Sequence, residues 1–266
     1  MPQLHGRRTA RRRSDVAVPT ARATPPRGCV RRGRPEHHRV VTCNTAPAMH
    51  LTIVGSGPPV VLTHGFADDS STFDAQLAPL AGHRVCRWDL PGHGRSSVGS
   101  ALATRASALE WLDVAIDAVG GTPVTLVGHS LGGYLSLCRA VLDPTGIAGL
   151  VLIATGPGFR DPTKRDAWNG YLESYADGHG IEPAVRGIAE QPDSLVLDGL
   201  AGITAPVLVV VGGRDGTYRA GSRIIAEAVP SGRLVVVEGA GHFPHRTHAA
   251  EVNRAIVEHL DLSGSP

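Results

Sequence analysis

Residues 124–133 read VTLVGHSLGG: an apolar run, then Gly128-His129-Ser130-Leu131-Gly132, then the start of an amphipathic stretch. The run predicts a buried strand and the stretch a helix, with a serine at the junction. Small residues on either side of Ser130 let a strand turn sharply into a helix and leave the hydroxyl strained and exposed. The helix N-terminus behind it favours developing negative charge. G-x-S-x-G alone occurs by chance. Between a strand and a helix it points to a nucleophile.

Outward from this point, short apolar runs alternate with longer amphipathic ones. The strand candidates are 49–54, 59–63, 84–89, 124–128, 147–154, 206–212 and 233–238. Several are near-continuous Val, Leu and Ile, the pattern of strands buried on both faces of a parallel sheet. Helix candidates at 104–119, 131–142, 218–229 and 247–260 fall between them. The expected fold class is therefore α/β, a mostly parallel sheet covered by helices on both faces. Residues 155–203 break the alternation: they have no buried-strand run and contain Pro157, Pro162, Gly170, Gly180, Pro183 and Pro192. They read as an inserted cap of short helices.

A serine hydroxyl needs a base to take its proton, and the base must be a histidine oriented by an acid. Of thirteen histidines, His242 lies in EGAGHFPH, in the turn after strand 233–238, with His245 as its neighbouring rival. His64 and His93 fall in turns and are expected to hold backbone groups, and His129 to point away from the nucleophile. Strand 206–212 runs into GGRD, which places Asp215 between the serine and the histidine in chain order. Asp161, Asp193 and Asp198 are alternatives within the cap. Asp215 could instead cap helix 218–229, unless Thr217 does. The oxyanion of an acyl-transfer intermediate needs two N–H donors. The backbone N–H groups of Leu131 and of Phe66, in HGFADD, are the candidates.

LTHGF, WDLPGHGRSS, VGHSLGGYLSL, PVLVVVGGRD and EGAGHFPH follow one another in an order that resembles the α/β-hydrolase superfamily. The likeness is greatest to its bacterial esterases, lactonases and carbon–carbon bond hydrolases and spans roughly residues 50–262. It implies a Ser130–His242–Asp215 triad, Phe66 and Leu131 as oxyanion donors, and Asp89 as a structural tie. It also implies a serine hydrolase acting on a small, mostly apolar ester, lactone or carbon–carbon substrate, with no metal or organic cofactor. Acyl transfer, a cofactor-free lyase or perhydrolysis would use the same site, and a non-catalytic binding module is the remaining alternative. The cap is short for this branch, and the basic N-terminal stretch has no counterpart in the family pattern.

Phe66, Phe159, Trp168, Tyr171 and Tyr175 are candidates to line an apolar pocket, or merely to pack the cap onto the core. Arg160, Lys164 and Arg165 suit either a substrate carboxylate or a solvated charge run. A formal charge of +2 hides an asymmetry: residues 1–48 carry eleven arginines against Asp15 and Glu36, and the remainder 15 basic against 22 acidic residues. The Arg- and Pro-rich extension, 1–48, is expected to be disordered and 49–266 to form the folded domain. The acidic body argues against nucleic acid as a partner and for a small-molecule substrate. No apolar run is long enough for a membrane span. Cys29, Cys43, Cys86 and Cys138 are scattered, as free thiols of a cytoplasmic protein would be. No feature points to a particular oligomer.

Overall fold

In a computed structural model of the protein, the structure describes residues 48–98 and 102–263. The Arg-rich extension therefore lies, apart from Ala48, outside the described residues. Seven strands form one sheet: β1 (Leu51–Val54), β2 (Pro59–Thr63), β3 (Arg84–Trp88), β4 (Val124–His129), β5 (Ile147–Ile153), β6 (Val207–Gly212) and β7 (Gly232–Val237). Their order is β1-β3-β2-β4-β5-β6-β7. Only β1 runs antiparallel, against β3; every other pairing is parallel.

The sheet is buried on both faces, which is why its strands read as unbroken apolar runs. Val61, Leu126, Leu150, Leu152, Val207 and Val209 enter one core with Trp88, Leu112 and Leu135. Their neighbours Val60, Leu62, Val127, Val151, Ile153, Leu208 and Val210 enter the other, with Val252, Ile256 and Leu260. Successive side chains of a strand point to opposite faces, so each strand feeds both cores.

The helices are α1 (Asp74–Leu77), α2 (Arg105–Val119), α3 (Leu131–Leu142), α4 (Pro162–Gly178), α5 (Pro183–Arg186), α6 (Leu195–Gly199), α7 (Arg219–Ala228), α8 (Pro244–Thr247) and α9 (Ala249–Ser263). α2 begins at a capping box, Thr104 with Ser107, and ends where Gly120 takes φ 121°. That conformation suits a residue without a Cβ.

Between β5 and β6 the regular structure is all helical, joined by irregular segments, and one helix is not short. α4 has 17 residues. Asp161 caps it by accepting from Thr163 N–H, and Pro162 occupies its first turn, where a missing N–H costs nothing. Gly170 does not break it, because the residue is exposed with open space around it. There glycine costs only about 1 kcal/mol. The carboxyl ends of β2, β4, β5, β6 and β7 all open on the same edge of the sheet, and the segments leaving them carry the candidate site.

Candidate active site

Ser130 stands between β4 and α3 with φ 50° and ψ −113°. Among the described residues, Ala67, Ser130 and Ala154 are the non-glycine residues with positive φ. They follow β2, β4 and β5, so the backbone strain gathers at one edge. Such conformations cost about 1–3 kcal/mol each and persist where surrounding structure holds them. Here the Ser130 N–H donates to Ile153 O at 2.8 Å, and Thr155 Oγ1 donates to Ser130 O at 2.7 Å. The flanking glycines are a steric requirement. A Cβ on Gly128 would lie 2.3 Å from the Gly132 carbonyl carbon, and one on Gly132 would lie 2.0 Å from Thr63 O.

Asp215, 5% exposed, follows β6. Its Oδ2 is 2.9 Å from His242 Nδ1. Its Oδ1 accepts from the N–H groups of Thr217 and Tyr218, at 3.2 and 3.1 Å. One oxygen thus faces His242 and the other the turn ahead of α7, whose N-cap position is held by Tyr218 without a side-chain cap bond. A carboxylate only accepts, so His242 Nδ1 carries the proton and Nε2 is left as an acceptor. Tyr218 stacks on the imidazole at 4.8 Å and 20°, and Phe243 meets it edge-on at 5.2 Å. Burial pushes the Tyr218 phenol up to about 12, opposed by a side-chain hydrogen bond with Ser130.

The other candidates are spent elsewhere. His245 is fully buried, with Nε2 3.0 Å from Thr72 Oγ1, and burial holds it neutral down to about 3. His64 donates from Nδ1 to Gly65 O at 2.7 Å and accepts the Leu90 N–H at Nε2. His93 Nδ1 donates to Pro91 O at 2.9 Å. Asp89 accepts from the N–H groups of Ser70 and Arg95, both at 2.9 Å. Of the cap-region acids, Asp193 takes a two-pronged bond from Arg105, Asp198 pairs with Arg160, and Asp161 caps α4.

Two residues escaped the sequence reading. His129 is more than a bystander turned from the serine: its Nε2 donates to the His242 carbonyl at 2.9 Å. Its ring is buried, which lowers its basicity well below the usual imidazole range. Tyr218 is the second; its signal in the sequence is its place three residues after Asp215, at the N-cap of α7.

Two cavities, about 330 and about 250 Å³, meet at Ser130. Phe66 and Trp168 line both, Leu131 and Phe159 the larger, and Tyr171 and Tyr175 the smaller together with Asp215 and His242. Leu131 opens α3, so its N–H belongs to the first turn, whose donors have no partner within the helix. Phe66 sits in the turn after β2, where Gly65 leaves little room for a side chain: a Cβ there would lie 2.9 Å from His129 Nδ1 and 3.2 Å from Ser130 Cβ. Among the described residues no three His, Cys, Asp or Glu side chains are grouped to hold a metal ion. None of the described helices is long and apolar enough to cross a membrane. Cys86 and Cys138 are buried free thiols; Cys29 and Cys43 lie outside the described residues.

Residues 60–255 match the model of the alpha/beta hydrolase family. A pimeloyl-[acyl-carrier protein] methyl ester esterase of Chromobacterium violaceum is 29% identical, over 80% of this chain and 98% of that protein. A 2-hydroxy-6-oxononadienedioate/2-hydroxy-6-oxononatrienedioate hydrolase of Dechloromonas aromatica is 27% identical, over 80% and 90%. Among solved structures, a malate-bound thermophilic esterase from Thermogutta terrifontis superposes with a TM-score of 0.73 at 25% identity, covering 87% of this chain and all of that one.

Proposed function

The chain belongs to the alpha/beta hydrolase family, and from that premise we propose that it is a serine hydrolase working through Ser130, His242 and Asp215. The observation that carries the reading is the 2.9 Å contact between His242 Nδ1 and Asp215 Oδ2, in a cavity that Ser130 also lines. It leaves Nε2 unprotonated, as a base for the serine requires.

Ser130 Oγ attacks the substrate carbonyl carbon as its proton passes to His242 Nε2, and Asp215 stabilises the imidazolium. The N–H groups of Leu131 and Phe66 hold the oxyanion. The bond to the leaving group then breaks, and His242 returns the proton to it. Water repeats the sequence on the acyl-enzyme, so each turnover consumes one water and releases an acid and an alcohol. The named activities of the two relatives, an ester and an oxo-dienedioate each split by a hydrolase, support hydrolysis over transfer to another acceptor. The mostly aliphatic and aromatic walls support a small, largely apolar acyl group. The segment 155–203 serves as a cap: Trp168, Tyr171 and Tyr175 of α4 supply walls of the cavities.

The test is a fluorophosphonate probe on wild type and Ser130→Ala, with the label located by mass spectrometry. Label on Ser130, absent in the variant and accompanied by turnover of p-nitrophenyl acetate, is the expected result. A folded protein that neither takes the label nor turns over the ester overturns the proposal in favour of a binding module.

A further inference from the structure

Along α4, Lys164, Trp168 and Leu172 line the larger cavity, and Trp168, Tyr171, Leu172 and Tyr175 line the smaller one. Positions four apart share a helix face, so one stripe of α4 roofs both. Trp168 marks the junction at Ser130. Lys164 lies one turn further from His242, about 6 Å along the axis at 1.5 Å per residue.

Lys164 is the one charged side chain among the residues lining the larger cavity. Its basic neighbours are engaged: Arg160 with Asp198, and Arg165 with the carbonyls of Phe159 and Arg160. Lys164 is an exposed residue at the cavity's wall, and among the described residues it has no ion-pair or hydrogen-bond partner. Gln191 supplies a second, independent signal. It is 7% exposed and lines the same cavity. Its backbone is pinned to α4 through Asn169, with N–H to Oδ1 at 3.0 Å and Nδ2 to O at 3.4 Å. Yet its Oε1 is buried with no partner, and no bond fixes which way its amide faces. A buried amide free to turn its NH₂ inward and an unpaired ammonium in the lining of the same apolar chamber can both donate to an anionic acceptor.

Resting on the hydrolase reading above, we propose that the larger cavity takes an acyl chain whose far end carries a carboxylate, received by Lys164 and Gln191. The substrate class is then monoesters of dicarboxylic acids, with the scissile carbonyl at Ser130. A neutral polar terminus would need Gln191 alone; the unpaired charge of Lys164 selects the anion.

The experiment measures kcat/KM of the full chain on matched p-nitrophenyl esters, the monoester of each diacid from succinic to suberic against the methyl-terminated acid of equal length. The readout is the ratio within each pair. Wild type is expected to favour the carboxylate about tenfold at the best length, the combined worth of one exposed ion pair and one amide hydrogen bond to a charged group. Lys164→Met is expected to bring the ratio to about one or below, Lys164→Arg to keep it, and Gln191→Leu to lower it severalfold. A wild-type ratio at or below one throughout, or an unchanged ratio in Lys164→Met, overturns the proposal. If no ester turns over, the hydrolase reading fails separately. Calorimetry of Ser130→Ala with monomethyl adipate against methyl hexanoate then decides: tighter binding of the carboxylate upholds the proposal, and equal or weaker binding rejects it.

Discussion

Replacing Asp215 by asparagine separates its contact with His242 from its contacts with the Thr217 and Tyr218 N–H groups. The substituted amide can be placed in two ways. With its oxygen on the Thr217 and Tyr218 N–H groups, its NH₂ faces His242 Nδ1, where the wild type has an acceptor at 2.9 Å. Nδ1 must then accept, the imidazole proton moves to Nε2, and the ring can no longer take a proton from Ser130. Turned over, the amide keeps the tautomer but sets its NH₂ against two backbone N–H donors. Each donor left unpaired costs about 1–3 kcal/mol. The first placement therefore wins, and it is the inactive one. Loss of the correct tautomer lowers kcat by about 10⁴ in triads of this kind, equivalent to about 5 kcal/mol of barrier. Stability should fall by only about 1–2 kcal/mol, because one charge-assisted hydrogen bond is exchanged for a neutral one. Asp215→Ala should be as inactive, and less stable by about a further 1 kcal/mol, since it also strands the Thr217 and Tyr218 N–H groups in the turn before α7. Ester turnover and the rate of fluorophosphonate labelling measure the first effect, and urea unfolding the second. A folded Asp215→Asn protein within tenfold of wild type would refute the assignment of Asp215 as the orienting acid.

Gly132→Ala would put a Cβ 2.0 Å from Thr63 O, a backbone atom with nowhere to retreat. A loss of about 3 kcal/mol or more is expected in urea unfolding, and an unchanged midpoint would rule out that close approach of β2 to α3. His64, His245 and His259 are held neutral by burial down to about 4, about 3 and about 4, and His129 is shifted the same way. Unfolded, each titrates near pH ~6.5, so between these values the unfolded chain binds more protons. Stability should be full above ~6.5 and decline as pH falls toward ~4, by up to ~1.4 kcal/mol per pH unit for each histidine. A flat urea midpoint across that window contradicts the burial argument. Burial raises the Cys86 and Cys138 thiols to about 12. Iodoacetamide at neutral pH should spare both until urea is added, as peptide mapping would show; alkylation of the native protein at either site would contradict it.

The order of strands and helices was legible because each is a local pattern. β4, β5 and β6 are short runs of Val, Leu and Ile closed by glycine or a polar turn, and the sheet buries both their faces. The serine turn was legible because no side chain is tolerated at 128, against the backbone of α3, or at 132, against β2. α4 was harder to read, since Gly170 signals a break unless one knows that the residue faces open solvent.

Chain order and turn position were enough to nominate Ser130, Asp215 and His242. They did not show where the two oxygens of the Asp215 carboxylate point, one to His242 and one to the turn before α7. The bond from His129 to the His242 carbonyl joins residues 113 positions apart. It exists only because β4 and β7 end at the same edge of the sheet. Lys164 and Gln191 likewise become neighbours of one cavity only once α4 lies across that edge. A sequence records which groups can donate, accept or carry charge. Which of them are left unpaired and facing one another depends on topology, since desolvation and hydrogen-bond geometry act through space, not along the chain.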